Sequence, residues 1–184
     1  MEKEKKYEFT GVKITWDGGI VLKLIRAVKD FGFVKKGEMG GWIESEDNLS
    51  QEGNCWVGGN SMVYGNSYVH GNAQVFGNSR VSENATISGN SRVYGYSQVC
   101  GSAVVNENSS VCGDSIVKDH AVIDGNAIVC GNAKIGGKTL LTNDMVVAWI
   151  HVWHSLEKST SPRILGEEFF LNEMVNIIIQ LVLF

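Results

Sequence analysis

The sequence predicts an all-β fold, a single-stranded parallel β-helix, from three tracks of residues that repeat every six positions. The first track is aliphatic. Val57, Val63, Val69, Val75, Val81, Ile87, Val93, Val99, Val105, Val111, Val117, Ile123, Val129, Ile135, Leu141 and Val147 form sixteen consecutive hits, twelve of them valine. The second track lies four residues after each aliphatic, where all thirteen positions from Ser61 to Ala133 are Ser or Ala. The third lies two residues after the aliphatic, where eleven of fifteen positions are Gly, usually followed by Asn, as in Gly65-Asn66 and Gly71-Asn72.

Each track has a physical cause. Within one short strand the small residue and the next aliphatic lie two apart, so both point to the same side. β-Branched valine suits a strand and fills an interior. Ser and Ala fit where the chain nears a tight corner. Gly and Asn tolerate left-handed backbone angles and so mark the corners. Three strands and three corners make a coil, and the repeat from residue 55 to 147 makes about five coils, each ~4.8 Å above the last. A coil has no core of its own; stacking supplies it. The period of six excludes pentapeptide helices. With only Thr86, Thr139 and Thr142 in the repeat, a threonine ladder of the ice-binding kind is excluded too.

Segments flank the repeat. Residues 1–54 read as an N-terminal β cap and lead-in. Tyr7 to Thr15 and Ile20 to Ala27 form a hairpin around Asp17-Gly18-Gly19, and Trp42 and Leu49 supply cap core. Such a cap protects the unpaired edge of the first coil. Residues 148–184 are a short strand-and-helix appendage. It is rich in Phe, Ile and Leu, and it is expected to cap the helix or to make a homo-oligomer, a dimer or trimer.

Bulk properties restrict function. The chain has 184 residues, 43% hydrophobic, with 22 glycines, one proline and a net charge of −4. That charge leaves no footprint for nucleic acid or an anionic membrane. No signal peptide or membrane span is legible, so a cytoplasmic location is expected, with the four cysteines as free thiols. Between Val57 and Ile135 five acidic residues face four basic ones, a balance that disfavours DNA mimicry by charge.

Spacing by eighteen stacks the outward residues into columns. Trp56, Ile128, Phe76, Tyr94, Cys112 and Cys130 fall on one face, and Val104 and Val122 on a second. These eight are the candidate interaction surface, over a core ladder of Val57, Val75, Val93, Val111 and Val129. Cys112 and Cys130 are one coil apart, within Cα reach of a disulfide. An Asn column, Asn72, Asn90, Asn108 and Asn126, reads as a structural ladder. Neither a metal nor a cofactor site is expected.

The repeat resembles the hexapeptide-repeat superfamily, which implies a left-handed helix. The runs Ile25–Gly32, Gly40–Ser50 and Gly53–Val57 resemble a bacterial and prophage family that joins this segment to hexapeptide repeats. The resemblance covers roughly residues 7–140, and some members bear a provisional transferase label. It implies an accessory phage protein acting on a protein partner, with inhibition of a host defence complex, in the manner of anti-CRISPR proteins, as one concrete form. The alternative it implies is an acyl-CoA-dependent acyltransferase. Such enzymes use a histidine base near neutrality, for which His120 beside Asp119 is the candidate. They commonly interrupt the repeat with a loop, and this repeat has none.

Overall fold

The structure, a computed structural model, describes residues 4–148 and the backbone of His151 and Val152. The described residues form a β-solenoid of stacked parallel rungs with no α-helix. A hairpin opens it: β1 (Tyr7–Trp16) and β2 (Ile20–Ala27) pair antiparallel around the turn Asp17–Gly19. The third strand, β3 (Met39–Ile43), pairs antiparallel with β2 and parallel with the first rung of the coil, Met62–Val63. The hairpin is thus an extension of one solenoid face, and that face becomes a nine-stranded sheet. The other two faces hold six and five rungs.

The core starts earlier than the aliphatic track suggests. Ile43 lies opposite Val63, and Leu49 bridges to Val69, both fully buried. These two residues are six apart, so they are the first turn of the coil, separated from Val57 by two extra residues. The solenoid therefore has about six turns rather than five. Trp42 does not enter the core; it lies half-buried on the outside, opposite Met62. Ile43 holds the inward place because strand alternation puts neighbours on opposite faces. The cap sits so close that a Cβ on Gly40 would lie 2.7 Å from Trp56 Cζ2 and 2.8 Å from the Val57 carbonyl, so only glycine fits there.

Every aliphatic of the repeat is buried, from Val57 at 0% exposure to Val147 at 3%. The small residues are buried with them, and the serines among them have a second task. Ser61 Oγ donates to the Gly58 carbonyl at 2.6 Å, and Ser67, Ser79, Ser91, Ser97 and Ser115 repeat the bond to the corner behind them. For Ser61 and Ser91 the hydroxyl adds to the residue's own N–H, which reaches the same carbonyl at 3.3 Å. Between coils, backbone bonds run rung to rung at 2.6–3.2 Å. Glu83, Glu107, Asp119 and Asn143 stand where the corner track lacks Gly, and all four keep its left-handed φ of 55–61°. They never stack on one another. A Cβ on Gly89, directly before Glu107 in its column, would lie 2.6 Å from the Glu107 nitrogen. One side chain per two corners is the limit there.

Acidic corners also fasten coils. The carboxylates of Glu44, Glu83 and Asp119 accept from the backbone N–H of Gly65, Gly101 and Gly137 at 2.7, 3.0 and 2.9 Å. The Asn ladder is present: Asn72, Asn90, Asn108, Asn126 and Asp144 are joined amide to oxygen at 3.0–3.3 Å. At the capped end, Lys6 is 1% exposed. Its Nζ donates to the carbonyls of Cys55, Glu52 and Gly53, lies 3.1 Å from Cys55 Sγ and sits over the Phe31 ring. A buried cation here satisfies carbonyls that the coil below does not reach. Burial holds the Lys6 amine below its ordinary value, partly offset by Cys55.

Two expectations test this architecture. Val93→Asp buries an unpaired charge and should cost about 3 kcal/mol or more, roughly 10 °C in melting temperature. Arg92→Asp, exposed one residue away, should change stability by no more than about 0.5 kcal/mol. Equal melting temperatures for the pair would contradict the inward register.

The second concerns pH. Burial pushes up the Tyr7 phenol, with Glu46 next, and burial also pushes up the Cys55 thiol against the opposing pull of Lys6. Acids whose folded values are raised stabilise fully below their unfolded values of 9.0 and 10.0, and lose that stabilisation as pH rises past them. Lys6, lowered in the fold, contributes with opposite sign below 10.5. The net expectation is a fall in thermal stability from about pH 9 upward. Tyr7→Phe loses the 2.7 Å bond to the Leu49 carbonyl, about 1 kcal/mol at neutral pH. Its deficit should shrink above about pH 10; a deficit constant with pH would refute the buried phenol.

Candidate functional site

The coil interior is filled, so chemistry or contact belongs to the outer columns. On the six-rung face one column reads Trp56, Gln74, Arg92, Ser110, Ile128 and Val146. The adjacent column contains Phe76, Tyr94, Cys112 and Cys130. On the five-rung face Tyr68, Thr86, Val104, Val122 and Leu140 align.

One member of the expected surface is misplaced. Trp56 is 3% exposed, with Phe31 edge-on at 5.5 Å and Tyr7 at 6.5 Å. The cap folds over the first rung and turns this outward position into core, so Trp56 cannot meet a partner. The other seven remain accessible: Phe76 and Ile128 are 38% and 37% exposed, while Tyr94, Cys112, Cys130, Val104 and Val122 are half-buried. Phe76 and Tyr94 stack face to face, 5.1 Å apart with planes 2° from parallel. Their ring faces are used on each other, so their edges meet solvent.

Sequence reasoning missed Tyr96, which is the most exposed of the large apolar side chains at 65%. Its signal was available: Gly95-Tyr96-Ser97 breaks the Gly-Asn corner, in the column where Asn60 bonds Asn78. An aromatic in place of a ladder asparagine neither fastens a corner nor fills a core. It lies two residues beyond Tyr94, at the corner that follows the Phe76–Tyr94 stack. Phe33, Met39, Val12 and Val21 are further exposed apolar residues on the cap.

The candidate acid–base pair does not assemble. His120 is exposed at a corner, and the Asp119 carboxylate accepts from the Gly137 N–H instead of orienting it. His70 stacks on the Tyr68 ring at 4.9 Å. His154 lies outside the described residues, as does most of the 148–184 appendage. A depression lined by Glu44, Ser45, Asp47, Asn48, Gly65, Asn66 and Ser67 is the seam between cap and coil. Asn48 closes it, accepting from Glu44 and Ser45 and donating to the Gly65 and Ser67 carbonyls. Among the described residues no three His, Cys, Asp or Glu converge as a metal site requires, and no helix is long and apolar enough to cross a membrane.

A filled β-solenoid with a six-residue repeat and a covered first coil is the architecture of a hexapeptide-repeat protein. No protein-family model matches the sequence. Over 38 residues, 21% of this chain, it is 50% identical to the "Uncharacterized acetyltransferase YdcK" of Escherichia coli (strain K12). That stretch spans 12% of the relative's length. Together, repeat, solenoid and local identity support the hexapeptide-repeat superfamily.

Proposed function

We propose that this chain is a rigid binding scaffold that acts by protein–protein contact through its six-rung face. The observation that carries the reading is the Phe76–Tyr94 stack with Tyr96 at the corner that follows it, continued by Cys112, Ile128 and Cys130, on a coil whose backbone is already paired. Such a surface costs little to order on binding, because the scaffold under it is rigid. Aromatic edges are typical contact anchors. A second copy of the chain is one occupant this face fits, as a dimer or trimer. A host protein is the other, and inhibition of a defence complex has only the resemblance to prophage-borne proteins behind it. Light scattering on the full chain, with Phe76→Asp/Tyr96→Asp and Tyr68→Asp variants, tests the face. The double variant should abolish self-association or capture of a host protein, while Tyr68→Asp on another face leaves it intact. A monomer whose captured protein is insensitive to the double variant would refute the proposal.

The second reading, an acyl-CoA-dependent acyltransferase, is favoured by the local identity to the acetyltransferase of Escherichia coli. Against it stand the uninterrupted coil and the engagement of Asp119 at a corner. Calorimetry should detect no saturable binding of acetyl-CoA. Micromolar binding lost in His120→Ala would reverse the ranking.

A further inference from the structure

We propose that Cys112 and Cys130 form an oxidisable dithiol, a modification site that takes small-molecule disulfides as its oxidant. The two residues are direct neighbours on successive rungs. Val111 pairs with Val129 in register, and the Cys112 N–H donates to the Val129 carbonyl at 2.8 Å. The next residues along the two chains are therefore opposite each other and project from the same face. Both are free thiols and half-buried, so a small oxidant reaches them from solvent. Tyr94 stands one rung before Cys112 in the same column. The other two cysteines lack such a neighbour. Cys55 is buried under the cap, and Cys100 lies on another face, where Lys118 follows it.

Burial sets the order of events. It pushes the Cys130 thiol up, with Cys112 next, and so disfavours the Cys130 thiolate; the attack is assigned to Cys112. Its thiolate attacks one sulfur of oxidised glutathione, forms a mixed disulfide and expels one glutathione thiolate. Cys130 then releases its proton to solvent and attacks Cys112 Sγ, and the second glutathione leaves as thiolate. Two protein thiols become one disulfide, and one small disulfide becomes two thiols, so atoms and electrons balance.

The product bond is labile for a geometric reason. Rungs ~4.8 Å apart put the Cα atoms inside the disulfide range of roughly 4.4–6.8 Å. In-register Cβ atoms stay about one rung apart, wider than the ~3.8 Å mean of disulfides. Closing the bond pulls two coils together against the packed Val111–Val129 contact. Strain of that kind raises the reduction potential, so excess reduced glutathione should reopen the bond.

The full chain incubated with oxidised glutathione and followed by intact mass tests this. The expected product is lighter by two hydrogen atoms and carries no adduct. Trypsin should yield residues 93–118 linked to 119–134, and the link should survive Cys100→Ser. Cys130→Ser should instead accumulate one glutathione on Cys112, trapping the intermediate. Cys112→Ser should take up glutathione on Cys130 at least ~10-fold more slowly. A persistent adduct on the unsubstituted chain would overturn the proposal. So would a link between two chains, or a Cys100 that reacts as fast as Cys112.

Discussion

The ~4.8 Å spacing between coils constrains everything else in this molecule. Each rung is two or three residues long and makes few bonds, so a single coil is unstable. Repetition in register solves this: one valine sits on another, one corner on another, and each corner N–H finds the carbonyl of the coil beneath. Because register is shared by all coils, a local irregularity would propagate. That is why the small track holds only Ser, Ala and Thr139 until Met145 in the last coil, and why side chains at the left-handed corners alternate with glycine. At those corners the spacing leaves room for one Cβ, not for two in succession.

The same constraint explains what was legible in the sequence. A period of six over sixteen units names the inward residues without ambiguity, and Val57, Val75, Val93, Val111 and Val129 are all fully buried. The hairpin was legible too, since Asp17-Gly18-Gly19 separates two apolar runs. What escaped were the places where period and environment part company. Ile43 and Leu49 carry the period, but two extra residues before Val57 hide the continuity. Trp56 keeps an outward position by periodicity, yet the cap makes it interior, and no local pattern announces that Tyr7, Phe31 and Gly40 fold over it. The fate of Lys6 was equally hidden. Its burial depends on the first coil's carbonyls, which are distant in sequence.

Charge shows a similar separation between pattern and meaning. Counted along the sequence, the acidic residues of the coil look like surface charge available to a partner or a base. In the structure several are fasteners. Glu44, Glu83 and Asp119 each close a corner by accepting a backbone N–H from the next coil. Asp119 gives its Oδ2 to that corner, and no hydrogen bond joins it to His120. The outward columns between corners are free of this duty, so the information specific to this chain is concentrated there: Phe76 on Tyr94, Tyr96 in place of a ladder asparagine, and two thiols on adjoining rungs.

That division also sets how much a local identity can say. In each six-residue unit, packing dictates the aliphatic and the small residue, and the corner dictates glycine and commonly asparagine. Roughly half or more of the positions in any two such coils agree for physical reasons alone. An identity of 50% over 38 residues is of that size. It is strong support for a common architecture and weak support for a common reaction. A reaction would need agreement at the outward positions, which the coil leaves unconstrained, and at a loop or seam where a histidine meets an unoccupied carboxylate. In this chain the carboxylate beside His120 is bonded to a corner N–H and not to the imidazole, and the exposed columns are aromatic, aliphatic and thiol-bearing. Those side chains suit the proposed contact surface better than the reaction in its relative's name.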